Sequence, residues 1–325
     1  MAANIPSFTL NTGYKIPSVG IGCWMGAPGG GEIAAKMCKD ALEIFAQLPT
    51  MAQAYGYGNE EYVGKAIRES GVPREEIFLT TKLPNHHHHK VKESLDESLA
   101  KLGVDYVDLY LIHWPQAYTE DNKPIPYGQS PTYVETWKEM EKLLDTGKVR
   151  SIGVSNFSIK LLEVLLRESD IVPATNQVEC HPCLPSVDLK LWCEERGILI
   201  TAYSPLGRPG EYDGKPSLLQ DPDVVSIAQA HNATPGQVTL SWGVKRGTIV
   251  IPKSENPERI KQNISLLDLT DEEMATLNAI HLKPGMHRSL LRYHQYSDDG
   301  TVLGWTYEQL GWNMTKGGIV CALEP

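Results

Sequence analysis

Three residues of this chain could together hand a proton to a carbonyl oxygen. They are Tyr57 in Tyr57-Gly58-Asn59-Glu60, Lys82 in Thr80-Thr81-Lys82-Leu83, and His113 in Leu111-Ile112-His113-Trp114-Pro115. Each falls in or just after a predicted strand end or loop. A free Tyr hydroxyl has a pKa of ~10 and donates poorly near neutral pH. A Lys ammonium beside it favours the phenolate and lowers that pKa. An imidazole can orient the substrate oxygen and share the hydrogen-bond load. Taken singly, each residue has an ordinary reading. A Tyr before a helix packs, a Lys after a strand is solvated, and a His beside Trp114 is a satisfied core residue. Their joint placement argues for chemistry.

Other clusters argue for less. Cys180-His181-Pro182-Cys183 has the spacing of half a zinc site, but no second Cys/His pair at suitable spacing completes it. No metal is expected, and the six cysteines read as free thiols of a reducing compartment. No G-x-G-x-x-G follows the first strand, so a Rossmann domain is not indicated.

The bulk numbers bound the scaffold. The 325 residues suit one large α/β domain or two small ones, long enough to bury a core without disulfides or metal. Hydrophobic residues make up 41% and charged residues 22%, as in an ordinary soluble globular protein. The net charge of −10 makes the chain a poor partner for nucleic acid. Residues Met1-Ala2-Ala3-Asn4-Ile5-Pro6 lack the regions of a signal peptide, and no apolar run reaches membrane-spanning length. A cytoplasmic protein is expected, with no membrane partner.

Residues 7–19 read as a hairpin turning at Asn11-Thr12-Gly13-Tyr14. Short apolar runs then alternate with amphipathic stretches. The strand candidates are Val19–Trp24, Ile77–Leu83, Val107–His113, Ser151–Val154, Ala174–Glu179, Ile198–Ser204 and Thr248–Pro252. Helical spacing marks Glu32–Ile44, Lys90–Leu102, Tyr133–Thr146, Lys160–Arg167, Asp188–Arg196 and Gln237–Lys245, with another helix opening at Asn59. Ser158 and Thr234 are candidate N-caps, and Gly103, Gly147 and Gly197 are candidate stops. Repeated strand–helix units imply parallel strands with right-handed crossovers. Seven strands are clear, and a closed (β/α)8 barrel needs an eighth. Its only place is Phe45–Gln53, although Pro49 argues against an interior strand there. The expectation is one barrel domain over residues 1–325, with a tail over 284–325. That tail lacks strong periodicity and carries Tyr293, Tyr296, Trp305, Tyr307 and Trp312. It either caps the pocket or packs on the barrel wall.

The chain resembles the aldo-keto reductases, especially fungal aldose- and xylose-reductase-like members. The resemblance rests on eight segments in order, each at a predicted strand or its C-terminal end. They are Gly20-Ile21-Gly22-Cys23-Trp24, Tyr57-Gly58-Asn59-Glu60, Thr81-Lys82-Leu83, Leu111-Ile112-His113-Trp114-Pro115, Gly153-Val154-Ser155-Asn156-Phe157, Asn176-Gln177-Val178-Glu179-Cys180-His181-Pro182, Ala202-Tyr203-Ser204-Pro205-Leu206-Gly207 and Ile251-Pro252-Lys253-Ser254. Barrel enzymes place their sites at that end. The resemblance implies NADPH-dependent reduction of an aldehyde or ketone, with Tyr57 as general acid beside Lys82 and His113. Ser155, Asn156 and Gln177 would bind the nicotinamide carboxamide and Tyr203 would stack on its ring. Ser204 and Leu206 would be further cofactor contacts. Lys253, Ser254 and Arg259 would hold the 2′-phosphate, which suits a fork and a point charge. Gln262 and Asn263 would contact the adenine. Glu255 could oppose that phosphate or accept the 2′-hydroxyl of NAD, so NADH use stays open. Trp24 and Trp114 would line the substrate pocket. The internal run His86-His87-His88-His89 reads as a loop, as similar turns do in the family.

One segment departs from the family. Its second strand normally ends in Asp-x-Ala, with the Asp five residues before the Tyr and paired to the Lys. Ala52 occupies that place. Without a carboxylate, Lys82 should titrate lower and act more weakly on Tyr57. Each ~1.4 kcal/mol lost from the transition state costs about tenfold, so activity reduced about ten- to a thousandfold is expected. The Pro49 break should also leave neighbouring strands incompletely paired. The rival expectation is a protein that binds NADPH without useful turnover. A third is a lyase using Lys82 as a Schiff-base amine.

Overall fold

In this computed structural model, which describes residues 5–45, 50–207, 217–291, 294 and 300–321, the eight-strand barrel forms. The hairpin comes first, as β1 (Ser7–Thr9) and β2 (Lys15–Pro17), with Ser7 opposite Pro17. The barrel strands are β3 (Gly20–Gly22), β4 (Thr50–Ala52), β5 (Phe78–Leu83), β6 (Val107–Ile112), β7 (Val149–Ser155), β8 (Thr175–Glu179), β9 (Leu199–Tyr203) and β10 (Ile249–Val250). Each pairs in parallel with the next in chain order. The two edges meet through a parallel bridge between Val19 and Val250, and the Gly22 N–H donates to the Pro252 carbonyl at 2.9 Å. A Cβ on Gly22 would lie 2.9 Å from the Ile251 carbonyl oxygen, so this seam needs glycine.

The eighth strand corrects the sequence reading. Among the described residues of this segment Thr50–Ala52 forms the strand, Phe45 caps the preceding helix, and Gln47 and Pro49 lie outside the described residues. Neighbouring strands are not left unpaired at this point. Gly20, Ile21 and Gly22 pair with Thr50, Met51 and Ala52, which pair in turn with Phe78, Leu79 and Thr80. All three residues of β4 are buried.

Ten helices of seven or more residues follow the strands or close the wall among the described residues. They are α1 (Gly31–Ile44), α2 (Glu60–Glu69), α3 (Val91–Leu102), α4 (Tyr133–Glu141), α5 (Ile159–Glu168), α6 (Val187–Glu194), α7 (Pro222–Ala230), α8 (Pro235–Lys245), α9 (Pro257–Asn263) and α10 (Asp271–Asn278). Ser158 caps α5 by accepting from the Leu161 N–H, and Thr234 caps α8 in a capping box with Pro235 at the first position. Gly103 and Gly147 stop their helices at φ 64° and 73°. The predicted helix Tyr133–Thr146 ends early at Glu141 and finishes as a 3-10 turn. The tail adds two small hairpins, Thr301–Val302 with Trp305–Thr306 and Met314–Thr315 with Ile319–Val320. Tyr293 and Tyr296 lie outside the described residues.

Strand alternation divides the core. Leu79, Tyr110, Ile112, Ile152, Val154, Val178 and Ala202 face the helices. Phe78, Leu109, Leu111, Ala174 and Ile249 fill the lumen with Leu10 and Ile16 of the hairpin segment. The hairpin therefore plugs the N-terminal end of the barrel. Asn11 Nδ2 fastens it by donating to the carbonyls of Val172 and Pro173 at 3.2 and 3.1 Å.

Candidate active site

Period-two geometry decides what reaches the open mouth. Phe78 faces the lumen, so Lys82 does too; Leu109 and Leu111 face it, so His113 follows just past the end of β6. By the same count Ser155, Gln177 and Tyr203 point inward from the ends of β7, β8 and β9, and Ala52 from β4. All lie at C-terminal strand ends, on one rim.

The trio comes together. Lys82 Nζ lies 3.2 Å from the Tyr57 hydroxyl, and the Tyr57 and His113 rings are 5.8 Å apart, edge to face. Tyr55, two residues earlier, goes elsewhere. Its hydroxyl donates to Glu97 at 2.9 Å and Lys101 lies over its ring. Lys82 is 1% exposed and its second partner is the Gln53 carbonyl at 3.0 Å. Residue 52 offers only a methyl group, and among the described residues no carboxylate pairs with Lys82.

Burial then sets the proton affinities. Desolvation pulls Lys82 down to about 7, opposed by the nearby Cys23. Burial pushes the Tyr57 hydroxyl up, and Cys23 adds to that. This is opposite to the expected lowering of Tyr57 by Lys82, because desolvation of the hydroxyl dominates. Burial, then the Lys82 charge, hold His113 well below its ordinary value, so its imidazole is neutral.

The candidate cofactor residues form a connected network. Asn156, at φ 66°, donates from Nδ2 to the His113 carbonyl at 2.9 Å and accepts from the Tyr203 hydroxyl at 2.6 Å. Asn tolerates this left-handed backbone because its short side chain bonds locally. Ser155 Oγ donates to the Gln177 carbonyl at 2.7 Å. The Gln177 side chain is 2% exposed and its amide has no partner among the described residues, which leaves a donor and an acceptor for a carboxamide. Ser204 turns the chain at φ 48° and Leu206 follows, partly buried.

Further along the rim, Ser254 is buried while Lys253 and Arg259 are exposed. Arg259 Nε donates to Ser254 Oγ at 3.3 Å, and Lys253 is ion-paired with Glu255. The carboxylate that the sequence flagged thus already occupies the lysine. Gln262 and Asn263 close α9, both partly exposed. Trp24 is 40% exposed with its ring 5.1 Å from that of Tyr57. Trp114 packs against Trp312 of the tail at 6.3 Å.

Two flagged motifs have structural partners. His87 Nδ1 pairs with Ser94 Oγ and His88 Nδ1 with Thr136 Oγ1, at 2.9 and 3.1 Å. His181 binds Glu179 at 2.9 Å, and Glu179 also accepts from Ser289 Oγ and from the Leu290 N–H, tying the tail to β8. Among the described residues no three His, Cys, Asp or Glu side chains could hold a metal. No helix among them is long and apolar enough to cross a membrane. Sequence reasoning missed Gln53 and Asn59, whose side chains bond each other at 2.5 Å beside Lys82.

Comparison with known proteins agrees with this architecture. The model of the Aldo/keto reductase family matches residues 19–281. The glycerol 2-dehydrogenase (NADP(+)) of Saccharomyces cerevisiae is 42% identical, over 86% of this chain and 92% of its own length. The D-galacturonate reductase of Hypocrea jecorina is 44% identical, over 84% and 89%. The crystal structure of an aldo-keto reductase from Bombyx mori in complex with NADP superimposes with a TM-score of 0.79 at 38% identity, over 85% and 93%. The chain belongs to the aldo/keto reductase family, and its scaffold is that family's eight-stranded α/β barrel.

Proposed function

We propose that this protein reduces an aldehyde or ketone to an alcohol with NADPH, and that Tyr57 supplies the proton. The observation that supports it most is the Tyr57 hydroxyl 3.2 Å from Lys82 Nζ at the barrel mouth, with the neutral His113 ring alongside. Bound NADPH would supply the hydride to the carbonyl carbon. The Tyr57 O–H bond breaks as its proton passes to the carbonyl oxygen, and Lys82 as ammonium stabilises the phenolate left behind. His113 orients the same oxygen by a hydrogen bond. Once Lys82 loses its proton it can accept from the Tyr57 hydroxyl, which turns that hydrogen away from substrate. Reduction should therefore fall as pH rises through about 7.

The residues present fit the cofactor. Gln177 has its amide free, Asn156 and Ser155 border it, and Tyr203 offers a ring for stacking. Lys253, Ser254 and Arg259 suit a 2′-phosphate, with Gln262 and Asn263 towards the adenine. Glu255 must release Lys253 first, which keeps NADH in play. The relatives named for glycerol and D-galacturonate favour a hydroxylated carbonyl substrate. Trp24 and Trp114 would wall it, and the contact of Trp312 with Trp114 supports the tail as a cap. We treat the chain as a single barrel domain acting in the cytoplasm.

Activity should be attenuated, because Ala52 leaves Lys82 with a carbonyl in place of a carboxylate. The same observation favours a second reading, an NADPH-binding protein without useful turnover. Aldehyde-dependent NADPH oxidation by wild type and Tyr57→Phe tests both. Turnover that drops about 10³-fold in the variant supports the reductase. Tight NADPH binding by a folded wild type with no turnover supports the second reading. Schiff-base chemistry is disfavoured by the 1% exposure of Lys82.

A further inference from the structure

Lys82 is a buried cation that pairs with no carboxylate among the described residues. The Tyr57 hydroxyl faces it from the turn before α2, the Gln53 carbonyl from beyond β4, the Cys23 thiol from beyond β3, and His113 from beyond β6. A carbonyl dipole is a weak counterpart for a buried charge, so its aim matters.

That aim is built by side chains with no role in the reaction described above. The Gln53 N–H donates to the Thr80 carbonyl at 2.9 Å, which anchors residue 53 to β5. Its Nε2 donates to Asn59 Oδ1 at 2.5 Å, and Asn59 Nδ2 donates to the Cys23 carbonyl at 2.9 Å. Gln53 is 0% and Asn59 1% exposed. The ends of β3, β4 and β5 and the start of α2 are thus joined through one glutamine. Its Oε1 remains buried with no partner, so the amide is kept there at a cost.

We propose that Gln53 is a positioning residue: braced by Asn59 against the Cys23 carbonyl, it fixes its own main-chain carbonyl on the Lys82 ammonium and so holds that ammonium against Tyr57. The effect on turnover rests on the reductase reading; the effect on Lys82 does not. Gln53→Leu keeps the bulk and removes the brace, so the ammonium loses support. Gln53→Glu places a carboxylate within one side chain's length of Nζ, so the ammonium gains support. A residue that only filled space would not move the lysine in opposite directions.

The test uses the full chain with lysine labelled at Cε with carbon-13, and Lys82→Met to assign the resonance. In Gln53→Leu the Lys82 signal should titrate about one pH unit below wild type, and in Gln53→Glu above it. The alkaline limb of kcat/KM should move the same way in each. A Lys82 signal that titrates unchanged in both folded variants, or moves the same way in both, overturns the proposal. Should Gln53→Leu fail to fold, an unchanged or lower titration in Gln53→Glu overturns it alone. A wild type that reduces no aldehyde defeats the reductase reading, and the titrations still decide the role of Gln53.

Discussion

The two walls of the barrel mouth solve the same problem differently. On the β7–β9 wall, Ser155, Asn156 and Tyr203 bond one another and their neighbours. Asn156 gives to the His113 carbonyl and takes from Tyr203, and Ser155 gives to the Gln177 carbonyl. Each such bond contributes a net ~1 kcal/mol. On the β4–β5 wall the same strand alternation aims a cation at a methyl group, Ala52, and a main-chain carbonyl. Burying a charge with so little compensation costs several kcal/mol, and the group lowers that cost by shedding its proton. One wall is held by hydrogen bonds, with the Gln177 amide left open. The other has a proton affinity set by small differences, and so is easily tuned.

The comparison predicts a graded series. Tyr57→Phe removes the proposed proton donor and should cost about 10³-fold in kcat/KM; a loss under tenfold would place the proton source elsewhere. Ala52→Asp gives the β4–β5 wall its missing charge. It should raise kcat about ten- to a hundredfold and carry the decline near pH 7 to higher pH. Steady-state rates across pH check both effects, and an unchanged profile would mean that the carbonyl already suffices. Asn156→Ala cuts the common tether of His113 and Tyr203, and about tenfold should go from kcat/KM for the aldehyde.

Lys82→Met addresses stability. Folded Lys82 sheds its proton near pH 7, whereas the unfolded chain keeps it to ~10.4. The unfolded state binds more protons in that window, so wild-type stability gains from this group as pH rises through it. The variant should lack that gain and be the more stable protein at pH 7 and below, as urea unfolding at about pH 6 and pH 9 would show. The smallest effect belongs to Glu255→Gln. Freeing Lys253 should tighten NADPH binding about two- to fivefold, as surface pairs are worth under ~1 kcal/mol. Unchanged affinity by fluorescence titration would detach Lys253 from the phosphate.

Much of this was readable from the residues. Seven strands announced themselves as apolar runs bounded by turns, and Lys82 and His113 stood at the C-terminal ends of two of them. Strand β4 did not, since three residues are too few to count an alternation. Helix α10 had an unused signal in the Thr270–Glu273 capping box, and α7 and α9 open on Pro222 and Pro257. The carbonyl that faces Lys82 was invisible, because every residue has one and only the fold aims it. So was the Asn156 tether, which depends on a left-handed backbone that Asn permits without requiring. The direction of the Tyr57 shift was misjudged because desolvation depends on neighbours that no motif spells out.

The hairpin plug has a consequence for traffic. With Leu10 and Ile16 packed into the N-terminal end, the described residues leave the barrel open at its C-terminal mouth. Whatever lies deepest, across Gln177 and Tyr203, must arrive before anything stacked above it and depart after it. Queueing of this kind would show in product inhibition: the alcohol should compete with the aldehyde only for enzyme already loaded with nucleotide.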